Sequence, residues 1–238
     1  AEVFQWQLFP ESERRQVDKE VLHYREALLW GFTQLNTTPL CSRIITGIQG
    51  RLIPSGSGAY RREQNQIMNA ATRENLYTPP PAQEIPRLIS NWEQFVNQND
   101  DALDPLIRAI MAHYQFEAIH PFRDGNGRTG RILMVLQLVQ SGLLSMPVLY
   151  ISGYINNNRP DYYAYLLAVT IDGKWNDYIQ YMLQGFFQQA QATHHSLVEI
   201  LKLHHAYKGK IRDELPKIYS AELVDALFTF PILSPTRL

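Results

Sequence analysis

Two apolar runs at helical spacing bracket a short polar segment, and this arrangement constrains the fold more than any other feature of the chain. The first run opens at Asp104-Pro105, an N-cap aspartate followed by a proline at a position where a helix tolerates one. It carries Leu106, Ile107, Ile110, Met111 and Tyr114 on one side and is expected to end before Ile119. The second run carries Ile132, Leu133, Val135, Leu136, Leu138 and Val139, and Gly142 marks its end. Between them lies His120-Pro121-Phe122-Arg123-Asp124-Gly125-Asn126-Gly127-Arg128-Thr129-Gly130-Arg131. A loop pinned at both ends by core helices is pre-organised, which is what positioning a reacting group requires.

The loop reads as a phosphate cradle with a base beside it. Gly125 and Gly127 can take positive φ without strain, so the N–H groups around Asn126 can turn inward as an anion-binding nest. That nest would open onto a helix N-terminus, where unpaired N–H groups and the helix dipole also favour negative charge. Arg128 and Arg131 stand three residues apart, share a helix face, and carry forked donors suited to phosphate oxygens. Asp124 would be repelled by bound phosphates unless a divalent cation lay between, so it reads as a Mg²⁺ ligand. His120, with an ordinary pKa of about 6.5, suits removal of a proton from an incoming hydroxyl. Alone, a histidine before Pro-Phe is more often a core residue, Gly-Asn-Gly is usually only a turn, and two helix arginines are usually a solvated face. Their joint occurrence in twelve residues favours the functional reading.

The rest of the chain is helix-rich. Val17, Val21, Leu22, Tyr24, Leu28, Leu29 and Trp30 predict a helix over 17–34; others are expected over 40–49, from Pro86 onward and over 176–206. Asn156 to Pro160 reads as a polar loop, with a helix opening at Asp161. Residues 51–58 are rich in Gly, Ser and Pro, and 59–68 interleave polar and apolar groups in a hairpin-like or extended pattern. At 238 residues, with 45% hydrophobic and 19% charged residues, the chain can bury a core without staples. A net charge of −1 gives no global pull toward nucleic acid or membranes, and the single Cys41 permits no intrachain disulfide. The expected location is the cytoplasm, with no membrane contact. His194, His195, His204 and His205 lack the companions of a recognised metal site and are expected on an exposed helix face.

The run from His120 to Arg131 resembles the Fic family signature H-P-F-x-D-G-N-G-R-x-x-R at every fixed position. The resemblance implies an all-α, mainly helical fold with a small β-hairpin flap over the active site. It implies transfer of AMP from ATP to a Tyr, Thr or Ser hydroxyl of a target protein, with release of pyrophosphate. On that reading His120 is the base and Asp124 holds Mg²⁺. The run Asp124, Gly125, Asn126, Gly127, Arg128, Thr129, Gly130 and Arg131 binds the nucleotide, while Phe122 anchors the loop. The stretch 58–68, continuing toward Tyr77-Thr78-Pro79-Pro80-Pro81, resembles the Fic flap, where Asn65, Gln66, Ile67 and Met68 would face the nucleotide or a target paired as an added strand. Tyr162, the first of the Tyr162-Tyr163 pair, resembles a tyrosine near the nucleotide base.

The expected organisation is an N-terminal helical segment over 1–40, a catalytic core over 41–190 and C-terminal helices over 191–238. Both ends read as cut: residue 1 is Ala, and the segment from Leu223 to Leu238 resembles the opening of the winged helix-turn-helix that follows many bacterial Fic cores. Any DNA contact would need the part beyond it. The family's inhibitory helix, [S/T]-x-x-x-E-[G/N], is expected upstream, and a homodimer is compatible with the family. Alternatives within the resemblance are AMP removal, transfer of another phosphate-containing group, a nucleotide-sensing regulator with a silent core, or a toxin-like module.

Overall fold

The computed structural model describes residues 16–56, 58–68, 72–98 and 102–229, with side chains from residue 19 onward. Nine α-helices and one two-stranded hairpin make up these residues. In chain order they are α1 (Gln16–Gln34), α2 (Ser42–Leu52), β1 (Ile67–Met68), β2 (Asn75–Tyr77), α3 (Ile85–Val96), α4 (Pro105–Ile119), α5 (Asn126–Gln140), α6 (Ile151–Asn157), α7 (Arg159–Asp172), α8 (Trp175–Glu214) and α9 (Ala221–Thr229). None of these helices is long and apolar enough to cross a membrane. The chain divides into two compact units, residues 23–189 and a second formed by 1–22 with 190–238. The loop of interest lies within the first.

The helices form where the apolar spacing places them, with local chemistry setting the ends. Asp104 accepts from the backbone N–H groups of Leu106 at 2.8 Å and Ile107 at 3.4 Å, and Pro105 occupies the first helical position. In α3, Ile85, Ile89, Trp92 and Val96 fall on one buried stripe, and the Trp92 indole donates to the Ala112 carbonyl at 2.9 Å, joining α3 to α4. Helices α4 and α5 are covered on two sides, each sending apolar residues into both core clusters. One core cluster joins Leu40, Ile44, Ile48, Trp92, Phe116, Phe122 and Leu136; the other joins Ile110, Met134, Leu138, Ile155, Tyr178 and Met182. The deep apolar residues of α4 are therefore Ala109, Ile110, Ala112, Phe116 and Ile119, with the polar Arg108 and His113 buried beside them, whereas Leu106, Ile107 and Tyr114 are only half-buried.

Several boundaries differ from the sequence reading. Helix α4 includes Ile119 and ends on His120, not before Ile119. Asn156 to Pro160 is no loop: α6 runs to Asn157 and α7 begins at Arg159, with Asn158 alone at the junction and Pro160 in the first turn, where no intrahelical N–H is needed. Helix α8 continues to Glu214, past the expected end at 206. Within 58–68 only Ile67 and Met68 are extended, and they pair antiparallel with a return strand at Asn75–Tyr77, in the register Ile67 with Tyr77 and Met68 with Asn75. Helix α9 matches the expected amphipathic segment, and His204 pairs with Asp225 at 3.0 Å; the following Pro231 and Ser234-Pro235 signals lie outside the described residues.

Candidate active site

The loop between α4 and α5 is held by its own polar side chains. Asn126, buried at the first position of α5, accepts from the Phe122 N–H and donates to the Phe122 carbonyl, both at 2.8 Å. Its amide is thus spent closing the loop, and its share in an anion site is through the backbone. Phe122 is fully buried and lies 5.2 Å from the Tyr60 ring, which is the anchor expected of it. Asp124 Oδ1 accepts from the Gly125 N–H at 2.6 Å, and Gln49 donates to the Asp124 carbonyl at 3.3 Å. Gly125 takes φ 82°, and a Cβ there would also come within 3.2 Å of Ile53. Gly127 departs from expectation: it is helical, without positive φ, and its missing Cβ leaves room for Arg131 Nη1, which that Cβ would meet at 3.1 Å. The anion-binding element is therefore a glycine turn feeding the first N–H groups of a helix, not a two-glycine nest.

Both arginines sit on α5, yet they face different partners. Arg128 Nη2 lies 3.7 Å from Asp124 Oδ2, with side-chain exposures of 26% and 72%. Arg131 donates from Nε to Ser152 Oγ at 3.1 Å, and that hydroxyl also lies 3.4 Å from the Tyr24 hydroxyl. Arg131 is braced from behind while Arg128 stands beside the exposed carboxylate. Thr129 and Gly130 turn into the core: Thr129 is fully buried, and a Cβ on Gly130 would strike Glu117, Phe116 and His113. Their contribution to the helix start is packing. Asp124 offers one exposed carboxylate beside the helix N-terminus, the pattern Mg²⁺ adopts when phosphates and water complete its shell, so it fits as a single protein ligand. Among the described residues no group of three or more His, Cys, Asp or Glu is gathered for a metal.

His120 caps α4 in the left-handed region, φ 47° and ψ 59°, a conformation that costs a non-glycine residue roughly 1 kcal/mol. Its N–H still closes the helix onto Phe116 at 3.0 Å. Burial pushes its pKa below the ordinary 6.5, partly opposed by the Glu117 backbone carbonyl, so the ring is neutral near pH 7 and able to accept a proton.

A residue given no role from sequence locks this strained cap. Arg61 is buried, with Nε donating to the His120 carbonyl at 2.9 Å, Nη1 to the Glu63 carbonyl at 3.0 Å, and Nη2 to the carbonyls of Pro80 at 2.6 Å and Ile119 at 3.5 Å. Its own N–H reaches the Pro121 carbonyl at 2.9 Å. One guanidinium thus ties the approach to the hairpin, the Pro79–Pro81 segment and the base together. The signal available was the pair Arg61-Arg62 in the flap stretch, and nothing in the sequence told which of the two is buried and which exposed.

The flap residues divide in two. Asn65 donates to the Phe122 carbonyl at 3.0 Å, fastening the hairpin to the loop, and the Tyr77 hydroxyl donates to the Ala118 carbonyl at 2.9 Å on the return side. Gln66 and Met68 are exposed, Met68 at 44%, and Ile67 is half-buried. Tyr162, by contrast, is 3% exposed and its hydroxyl lies 2.8 Å from His113 Nε2. Its ring belongs to the second core cluster, with Ile110, Met134 and Tyr178.

Residues 39–138 match the model of the Fic/DOC family, and the chain carries a Fic/DOC family domain. It is 39% identical over 101 residues to a probable protein adenylyltransferase of Aquifex aeolicus, covering 41% of this chain and 28% of that protein. It is 31% identical over 136 residues to protein adenylyltransferase Fic of Aedes aegypti, covering 57% of this chain and 24% of that one. The chain therefore spans about a quarter of the length of these relatives. Among solved structures, a Fic family protein from Desulfovibrio desulfuricans G20 superposes with a TM-score of 0.66 at 20% identity, covering 82% of this chain and 59% of that chain. Fic-1 from C. elegans gives 0.60 at 20% identity, covering 83% and 57%. At these identities the structures establish the helical Fic fold.

Proposed function

We propose that this chain is the catalytic part of a protein adenylyltransferase, with residues 41–190 as its core. ATP lies with its outer phosphates at the α5 N-terminus, held by the N–H groups around Gly125, Asn126 and Gly127 and by the guanidinium groups of Arg128 and Arg131. Tyr162 backs the nucleotide from the core. A Mg²⁺ ion held by Asp124, when bound, offsets charge on the phosphates. A target segment pairs with the hairpin at Ile67 and Met68, next to Asn65 and Gln66, and presents a Tyr, Thr or Ser hydroxyl. The neutral ring of His120 takes the hydroxyl proton, the oxygen forms a bond to the α-phosphorus, and the bond from that phosphorus to the bridging oxygen breaks. Pyrophosphate leaves into the grip of the helix start and the arginines, so catalysis is positioning plus electrostatic stabilisation.

The observation that carries this reading is the junction itself. A strained, neutral histidine cap is followed within six residues by a glycine turn into a helix that bears two arginines. The naming of the relatives as adenylyltransferases supports the choice of AMP over other phosphate-containing groups. The test is to incubate the chain with Mg²⁺, cell extract and ATP labelled at the α or, separately, the γ position. Protein-bound label from the α position alone, lost in His120→Ala, is expected; label from the γ position, or from neither, defeats the reading.

A further inference from the structure

Behind the start of α5 lies an acid that the proposed reaction does not use. Glu117 stands in the last turn of α4, and its carboxylate is fitted against two glycines of the next helix. A Cβ on Gly130 would meet Glu117 Oε1 at 2.3 Å; a Cβ on Gly127 would meet Glu117 Oε2 at 4.0 Å and Arg131 Nη1 at 3.1 Å. The carboxylate and the guanidinium thus flank the same small notch. Arg131 is braced by Ser152 through Nε, which leaves its Nη groups toward this side and toward the helix start. Glu117 Oε1 is buried with no hydrogen-bond partner, as is the hydroxyl of Tyr178.

The groups around the carboxylate come from every helix packed there. Arg131 comes from α5, Tyr162 from α7 and Tyr178 from α8, while His113 lies one turn earlier on α4. Both phenols are pushed well above their ordinary values by burial, with Glu117 as a further cause, and burial holds His113 neutral down to about 3. Arg131 is the cation of the set. Burial, only partly offset by Arg131, holds the Glu117 carboxyl up at about 7. An acid buried without a full set of partners weakens the fold, so stability does not account for it.

We propose that Glu117 couples nucleotide binding to proton uptake: without nucleotide it is the countercharge of Arg131, and when the phosphates of a nucleoside triphosphate take that guanidinium, Glu117 takes a proton from solvent. The inference rests on the reading above, in which Arg131 grips the outer phosphates. The step is a protonation with no other bond changed. Phosphate charge arriving beside Arg131 raises the proton affinity of the buried acid, and by linkage protons then favour nucleotide. ATP affinity consequently falls as pH rises above about 7, by roughly fifteenfold between pH 7 and 8.5 when the bound-state acid stays neutral. Glu117→Gln, which copies the neutral acid, removes that dependence and binds ATP more tightly than the unaltered chain at pH 8.

The test is isothermal titration of Mg-ATP into the chain at about pH 7.5, in buffers of different ionisation enthalpy, with adenosine as the phosphate-free control. The expected result is uptake of about 0.75 proton per ATP beyond that of Glu117→Gln, the ionised fraction of an acid with pKa near 7 at that pH. Adenosine should give no such difference. Equal proton uptake by the two proteins overturns the coupling and leaves the transferase reading standing; absence of any ATP binding overturns both. Should Glu117→Gln fail to fold, the unaltered chain carrying ¹³Cδ-labelled glutamate decides the matter. A buried carboxyl resonance that moves to its neutral position on adding ATP supports the proposal, and one that does not move overturns it.

Discussion

Arg61 and His120 are joined across 59 residues by a hydrogen bond from the guanidinium Nε to the His120 carbonyl oxygen, 2.9 Å long. The contact fixes the backbone of the proposed base from the flap side, at the residue that caps α4 in a left-handed conformation. Positioning of the base and attachment of the flap are therefore one interaction.

Replacing Arg61 by Ala leaves the carbonyls of His120, Glu63 and Pro80 without their donor. The expected loss of stability is about 2–4 kcal/mol, counting bonds from a charged group to buried carbonyls as non-additive. The rate of AMP transfer should fall at least about tenfold through misplacement of the base. Arg61→Lys keeps the charge but loses the fork and should recover only part of either quantity. Urea unfolding and initial rates at saturating ATP check both.

Asn126→Asp exchanges an NH₂ donor for a second acceptor facing the Phe122 carbonyl, which the native side chain bonds at 2.8 Å. Loss of that bond, with an anion set at the proposed phosphate site, is expected to cost about 2 kcal/mol in stability. ATP affinity should weaken as well, since the added charge opposes the phosphates. Calorimetric ATP titration alongside thermal melting separates the two effects.

The pH dependence of transfer follows His120. Its folded pKa is depressed below 6.5, so the ring is already neutral at pH 7 and the rate at saturating ATP should be level from pH 7 upward, falling only in acid. A rate still climbing between pH 7 and 8 would mean a different group supplies the base.

His113 predicts an acid weakness in the fold. Burial lowers its pKa from 6.5 to about 3, so the unfolded chain takes the proton first. The stability this neutral histidine confers is complete above pH 6.5 and is lost as pH falls toward 3. The amount is on the order of 5 kcal/mol over the whole window. His113→Phe forfeits the contact to Tyr162 and should be less stable at pH 7, yet its unfolding free energy should fall less steeply between pH 6 and 4. Urea titrations at a series of pH values give the two slopes.

The helices around the loop were legible because their signals are local. Asp104-Pro105 reports a helix start through hydrogen bonds that span three residues, and the run from His120 to Arg131 is contiguous. What escaped depends on long-range packing. Arg61 meets His120 and Ile119 nearly 60 residues away, and Gly127 serves the fit of Arg131 instead of a turn. His113 and Glu117 stand four apart on α4, a spacing common on solvated faces; only the packing of a second cluster on the far side of α4 buries His113 and the Glu117 Oε1. Tyr162 was visible as an aromatic, but its burial against His113 follows from where α7 packs.

The central claim is that a hydroxyl, deprotonated by His120, displaces pyrophosphate from ATP. It is tested most directly by counting products in one reaction with a modified target protein, the pyrophosphate released against the AMP bound to protein. The account predicts one pyrophosphate for each protein-bound AMP, with both falling by roughly 10²-fold or more in His120→Ala. Release of inorganic phosphate in place of pyrophosphate, or transfer undiminished in His120→Ala, would contradict it.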